Sequence, residues 1–492
     1  MTPRVTINRL ATGVPGLDVV LGGGLPEFSF NLIAGPPGSG KTTLAHQMMF
    51  ALASRERPAL YFTVLGEPPL KMLRYQQQFS FFASEAVNAS VRFISLSEDA
   101  ADGDLEKVLA RIVEEVRLVG PGLVFVDSFR SVAMASMSGG APINTLQHFV
   151  QQLGILMTSW QATTFLIGEY FTETDANPVF TVADGLIWLR QSVERNSMVR
   201  KLEIMKMRGQ STLPGLHTFR ITSDGLSVFA PLPQSGAPVG RNRHRAADRL
   251  SLGVPGLDEM LGGGLPLGYS LLVAGPSGSG KSILAATFLA EGARRGETGV
   301  IAAFEQHPNQ SRDRTLADLI DAGKVGLINS RGQELSIDEI LVMLVAEVRR
   351  LKATRVVVDS LSGFELALAP TFRIDFRESL SRLVVSLAAE GVSLLMTSEL
   401  EDRYTDLRFS PYGTAFMTDA VIVQRYIEVE SRLRRVMAVV KVRGSAHSDS
   451  LREFTINDSG LQLGAALPEQ EGLLGGRPTR SRATGKEFSD DG

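Results

Sequence analysis

Two stretches of this 492-residue chain have the residue types and spacing to hold a polyphosphate. Gly35-Pro-Pro-Gly-Ser-Gly-Lys41-Thr42 and Gly275-Pro-Ser-Gly-Ser-Gly-Lys281-Ser282 both fit G-x-x-x-x-G-K-[ST]. The glycines (Gly35, Gly38, Gly40; Gly275, Gly278, Gly280), with Ser39 and Ser279 between them, let the backbone bend so that successive N–H groups face one anion. The helix that follows, opening with Lys41-Thr42-Thr43 or Lys281-Ser282, adds its positive end. Lys41 and Lys281 would neutralise the β- and γ-phosphates, while Thr42 and Ser282 would each place a hydroxyl on Mg²⁺. ATP and Mg²⁺ are the cofactors this pattern implies.

Each loop has an aspartate to match it, Asp127 in LVFVDS and Asp359 in VVVDS, both ending an apolar strand. A carboxylate there lies beside the phosphate loop and can hold the metal through water. The lesser alternative is an aspartate that caps the next helix. Ser128 and Ser360 follow the two aspartates and are expected to support them.

The elements that must position these groups come as an internal repeat. Residues 12–26 read TGVPGLDVVLGGGLP and residues 252–266 read LGVPGLDEMLGGGLP. LVFVDS and VVVDS, FLIGE and LLMTSE, and KMRG and KVRG then recur in the same order. Continuous apolar runs such as GLVFVD suit strands buried on both faces, and they alternate with helical spacings such as LEKVLARIVEEVRLV and INTLQHFVQQLGILMTSW. The expectation is a doubly wound α/β domain made twice: residues 1–232 and 249–465, joined by a Pro-, Gly- and Arg-rich linker at 233–248 and followed by a flexible tail at 466–492.

A net charge of −3 argues against wrapping nucleic acid by bulk electrostatics. The absence of cysteine excludes disulfides, thiolate catalysis and cysteine–zinc sites. The scattered histidines show no metal-ligand spacing. The start lacks a signal-peptide core and no apolar run is long enough for a bilayer, so a cytoplasmic protein without membrane contact is expected. Arg241, Arg243, His244 and Arg245 read as a solvated linker.

The GVPGLD-x-x-LGGGLP lead-in, the paired phosphate loops, the VVVDS-type strands and the K-x-R-G segments together resemble the KaiC family of RecA-superfamily ATPases, found in the cyanobacterial clock and in wider bacterial and archaeal relatives. The likeness covers essentially the whole chain. It implies two tandem RecA-like domains, a homohexameric two-tiered ring with nucleotide at subunit interfaces, and a KaiB-like or signalling protein as partner. It also implies that Lys206 with Arg208, and Lys441 with Arg443, reach the γ-phosphate of the neighbouring subunit, and that His447 touches nucleotide.

The chain departs from that family in two places. The resemblance puts a pair of glutamates after the second strand to handle the attacking water and the metal site. Glu305 fills the first place in the second repeat, with Gln306 in the other. The first repeat has Leu65 and Gly66 there, and Glu67 one residue late, so its site is expected to bind ATP and hydrolyse it slowly. The family's phosphorylated Ser and Thr fall on Ala415 and Phe416, which argues against autokinase activity; Ser410, Thr414 and Thr418 are the nearby hydroxyls. The leading expectation is a ring-forming ATPase acting as a switch or timer. The alternatives are a KaiC-type Ser/Thr autokinase, a nucleic-acid-dependent motor and a nucleotide-gated scaffold.

Overall fold

The computed structural model describes residues 7–64, 69–132, 143–171, 178–194, 197–231, 248–304, 315–329, 335–368, 373, 376–400, 416–429, 431–457, 460–467, 470–471 and 479–480. The chain divides into two compact units, Met1–Pro231 and Leu232–Gly492.

In the first unit the chain runs β1 (Phe30–Gly35), α1 (Lys41–Leu52), β2 (Ala59–Thr63), α2 (Pro69–Gln76), β3 (Val91–Ser95), α3 (Leu105–Val119), β4 (Leu123–Asp127), α4 (Ile143–Ser159), β5 (Thr163–Glu169), β6 (Gly185–Glu194), β7 (Ser197–Met207), β8 (His217–Thr222) and β9 (Gly225–Phe229). These strands form one nine-stranded sheet in the order β3-β2-β4-β5-β1-β6-β7-β8-β9. From β3 to β6 the pairing is parallel; β7 to β9 extend it as antiparallel strands. The expected mostly parallel sheet flanked by helices is therefore observed.

The second unit repeats the plan with β10 (Ser270–Gly275), α5 (Lys281–Arg294), β11 (Gly299–Ala303), β12 (Val325–Asn329), α6 (Ile337–Leu351), β13 (Arg355–Asp359), α7 (Phe376–Ala389), β14 (Ser393–Glu399), β15 (Ala420–Val429), β16 (Arg432–Val442), β17 (Arg452–Asn457) and β18 (Gly460–Ala466). Its sheet order, β12-β11-β13-β14-β10-β15-β16-β17-β18, is that of the first unit. The two units thus form tandem RecA-like domains.

Each sheet is covered on both faces, which is why its central strands are apolar at every position. In the first unit one face packs Leu44, Ala45 and Met48 of α1 against Phe125, Phe165 and Ile167. The other packs Val108 and Ile112 of α3 and Leu153 of α4 against Phe62, Val124 and Leu166. The sequence of α3 explains its limits. Asp104 caps it by accepting from the N–H groups of Glu106 and Lys107, Gly120 ends it in the left-handed region, and Leu105, Val108, Ile112 and Val116 form its buried stripe. Its counterpart α6 starts with a capping box between Ser336 and Glu339. No helix among the described residues is long and apolar enough to cross a membrane.

Candidate functional site

The loop from β1 into α1 ends at Gly40, which has φ 100°; its counterpart Gly280 has φ 103°. A Cβ on either would lie 2.6 Å from an isoleucine Cδ1, of Ile221 or Ile456. The left-handed backbone requires glycine, and a Cβ would also have to push the tip of that isoleucine aside. No side chain caps either helix, so the first N–H groups and the positive helix end remain available to an anion.

Lys41 is 6% exposed and donates from Nζ to the carbonyl of Pro36 at 2.9 Å. Burial lowers its pKa, against the nearby carboxylates of Glu169 and Asp127. Lys281 donates to the carbonyls of Gly275 and Pro276, each at 2.8 Å. Ser39 and Ser279 are fully buried, Ser279 Oγ donates to Gln424 Oε1 at 3.0 Å, and the N–H groups of both serines close the loop onto the carbonyls of Pro36 and Pro276 at 3.3 Å.

Thr42 Oγ1 donates to Asp127 Oδ2 at 2.8 Å, and the Tyr61 hydroxyl donates to the same oxygen at 2.7 Å. Burial raises the Asp127 pKa, and these two hydrogen bonds oppose that rise. The carboxylate therefore faces the phosphate loop. Helix capping falls to the next residue: Ser360 accepts from the N–H of Gly363 at 3.1 Å, and Ser128 accepts from that of Ser131 at 3.3 Å. A serine side chain is the right length to cap its own helix in this way. In the second unit Asp359 accepts from Thr397 Oγ1. A strand hydroxyl thus reaches the aspartate from β2 in one copy and from β14 in the other, the strands on opposite sides of the aspartate strand.

Lys41, Thr42, Thr63, Asp127, Ile167 and Glu169 line one cavity of about 350 Å³, together with Gly38, Gly40 and Thr43. Its hydroxyl-and-carboxylate donor set, Thr42 with Asp127, suits a hard cation such as Mg²⁺ that also takes phosphate oxygens. Glu169 and Arg130 are the residues that sequence reasoning missed here. Arg130 Nη1 donates to the carbonyl of Glu169 and holds the end of β5. The available signal was the acidic end shared by TTFLIGE and SLLMTSE, which places Glu399 beside Gly275 as Glu169 lies beside Gly35.

The basic pairs lie elsewhere. Lys206 donates to the carbonyl of Thr181 at 3.1 Å, and Arg208 pairs with Asp184 at 3.1 Å. Lys441 donates to the carbonyl of Thr418 at 2.7 Å, and Arg443 lies 3.7 Å from Asp419. Asp184 also accepts from the N–H of Phe30, the first residue of β1, so this pair sits at the amino edge of the sheet. The phosphate loop leaves the opposite edge, about 20 Å away over six strand residues. His447 hydrogen-bonds to the Ser448 carbonyl at 3.1 Å, not to another predicted site residue. Ser282 and Thr43 follow their lysines on the first helical turn.

Glu305, Gln306, Leu65, Gly66 and Glu67 lie outside the described residues, as do Ser410, Thr414, Ala415 and the linker residues Arg241, Arg243, His244 and Arg245. Phe416 is exposed, with the Arg377 guanidinium 4.6 Å from its ring, whereas Thr418 is fully buried.

The family model described as the KaiC ATPase matches residues 10–232 and again 250–467. The chain is 28% identical over 491 residues to the circadian clock oscillator protein KaiC of Picosynechococcus, covering 96% of this chain and 93% of that protein. It is 28% identical to the protein of the same name from Rippkaea orientalis, covering 96% and 92% of the two chains. It is 27% identical to circadian clock oscillator protein KaiC 1 of Synechocystis, with 97% and 93% covered. With both repeats matched over nearly their full length, the chain belongs to the KaiC ATPase family.

Proposed function

We propose that the chain binds Mg²⁺·ATP at both phosphate loops, hydrolyses it, and uses hydrolysis to switch the state of a ring of six copies. The observation that carries this reading is the convergence of Lys41, Thr42 and Asp127 on one cavity beside an uncapped helix end. In that arrangement the backbone N–H groups and lysine hold the phosphates, and the Thr42–Asp127 pair, with Ser282 and Asp359 in the second copy, holds the metal, whose charge offsets that of the phosphates. Assembly is supported by the basic pairs. Because Lys206 and Arg208 lie at the edge away from their own unit's loop, a γ-phosphate they meet lies outside that unit, as a neighbouring subunit of a ring would supply. Glu305 acts at the second site, and the first site, with Leu65 and Gly66 in place of glutamates, turns over more slowly.

The test is steady-state ATPase activity in Glu305→Gln and Lys41→Ala chains. Loss of most turnover in the first and retention in the second supports the reading; the opposite pattern reverses the roles of the two sites. The ring is tested by light scattering with ATP and with ADP, and a monomer in both removes it. Nucleotide-dependent pull-down of a KaiB-like or signalling protein tests the switch. Phosphopeptide mapping after incubation with labelled ATP tests an autokinase; Phe416 at an acceptor place and the burial of Thr418 count against it.

A further inference from the structure

The geometry points to Glu169 as the carboxylate that orients the attacking water and accepts its proton at the first nucleotide site, an inference that rests on the ATPase reading above. β5 is hydrogen-bonded between β1, which leads into the phosphate loop, and β4, which ends in Asp127. Gly35 pairs with Glu169 and Asp127 with Ile167. Residues 167 and 169 of a strand share a face, and both line the cavity, so the Glu169 side chain is on the same side of the sheet as Lys41 and Asp127.

The two carboxylates of this cavity differ in what they are free to do. Asp127 is nearly buried and accepts from both Thr42 and Tyr61 on one oxygen, which fixes it toward the metal side. The Glu169 carboxylate is half-buried and has no hydrogen bond or ion pair among the described residues, while its backbone is anchored by Arg130 and by the hydrogen bond from the Tyr170 N–H to the Gly35 carbonyl at 3.1 Å. A rigid backbone carrying an uncommitted carboxylate beside a phosphate-binding lysine is what water activation needs. The water oxygen bonds to the γ-phosphorus as the bond from that phosphorus to the β,γ-bridging oxygen breaks. The electron pair leaves with ADP, and the water's proton passes to Glu169, which returns it to the released phosphate. Such a group would supply slow turnover at a site whose second strand ends without glutamates.

The test uses the full chain carrying Lys281→Ala, so that nucleotide enters the first site alone. Single-turnover hydrolysis of γ-phosphate-labelled ATP is compared with affinity for the same labelled nucleotide, with and without Glu169→Gln. The expected result is a fall in the hydrolysis rate of about a hundredfold with affinity held within about threefold. Glu169→Asp, which keeps the charge one methylene back, recovers part of the rate. Far-UV circular dichroism checks that each variant is folded. A rate unchanged by Glu169→Gln overturns the inference, as does a loss of affinity that accounts for the whole effect, which would make Glu169 a charge partner of Lys41. A first site that binds ATP but never turns over overturns it too. Failure of the Lys281→Ala chain to bind any nucleotide would instead remove the ATPase reading of this site.

Discussion

Tyr61 donates its phenolic proton to Asp127 Oδ2 at 2.7 Å from the neighbouring strand β2, reaching the oxygen that also accepts from Thr42. The ring is fully buried, stacked on Phe125 at 5.8 Å, so the hydroxyl has little freedom to point elsewhere. Removing it in Tyr61→Phe leaves a buried carboxylate with one donor fewer. The expected loss is about 1–3 kcal/mol of stability, read from urea unfolding. A several-fold rise in the Mg²⁺ concentration needed for nucleotide binding should accompany it. An unchanged unfolding midpoint would show that the hydrogen bond is not made in solution.

His46 follows Thr42 by one turn of α1 and is fully buried, its ring 4.5 Å from that of Tyr61. Burial lowers its pKa to about 4, with the Gln76 side chain opposing. The unfolded chain, with an ordinary value near 6.5, therefore binds more protons between these two values. Stability from this group is complete above about pH 6.5 and is lost as pH falls toward 4, by roughly 3 kcal/mol at most. Unfolding free energies of wild type and His46→Phe across that window should differ in slope. Parallel curves would rule out the buried neutral imidazole.

Arg355 opens the aspartate strand of the second unit where the first has Leu123. It is fully buried, pairs with Glu297 at 2.7 Å, donates to the carbonyls of Ser251 and Phe288 at 2.8 and 2.9 Å, and lies 4.6 Å from the Phe288 ring. Arg355→Met takes the guanidinium from two carbonyls and from Glu297, which keeps the Thr354 hydroxyl, and about 3–5 kcal/mol of stability should be lost. Chemical denaturation followed by circular dichroism measures it, and a loss under about 1 kcal/mol would mean that water replaces the guanidinium.

Lys41 and Lys281 each serve one loop, so nucleotide stoichiometry should separate them. Equilibrium dialysis with labelled ATP is expected to give two sites per wild-type chain, one in Lys41→Ala or Lys281→Ala, and none in the double variant. Two sites surviving in a single variant would dissociate that lysine from binding.

The parts legible in the sequence were those that depend on near neighbours along the chain. A phosphate loop is a contiguous backbone shape, so Gly40 and Lys41 announce it without any tertiary partner. A helix such as Leu105–Val119 carries its cap, stripe and stop within its own residues. Duplication was visible because both copies keep the same order of these local signals. Tertiary structure alone decided which side chains meet at the carboxyl edge. β1 lies beside β5 and β6, and β4 lies between β2 and β5, so Tyr61, Asp127 and Glu169 converge from strands far apart in sequence. Tyr61 reads as one more apolar strand residue, and Glu169 as a repeat landmark, until parallel pairing sets them at one level. The same strand directions carry Lys206 and Arg208 to the amino edge, away from their own loop, a placement that no spacing of residues within KMRG could express.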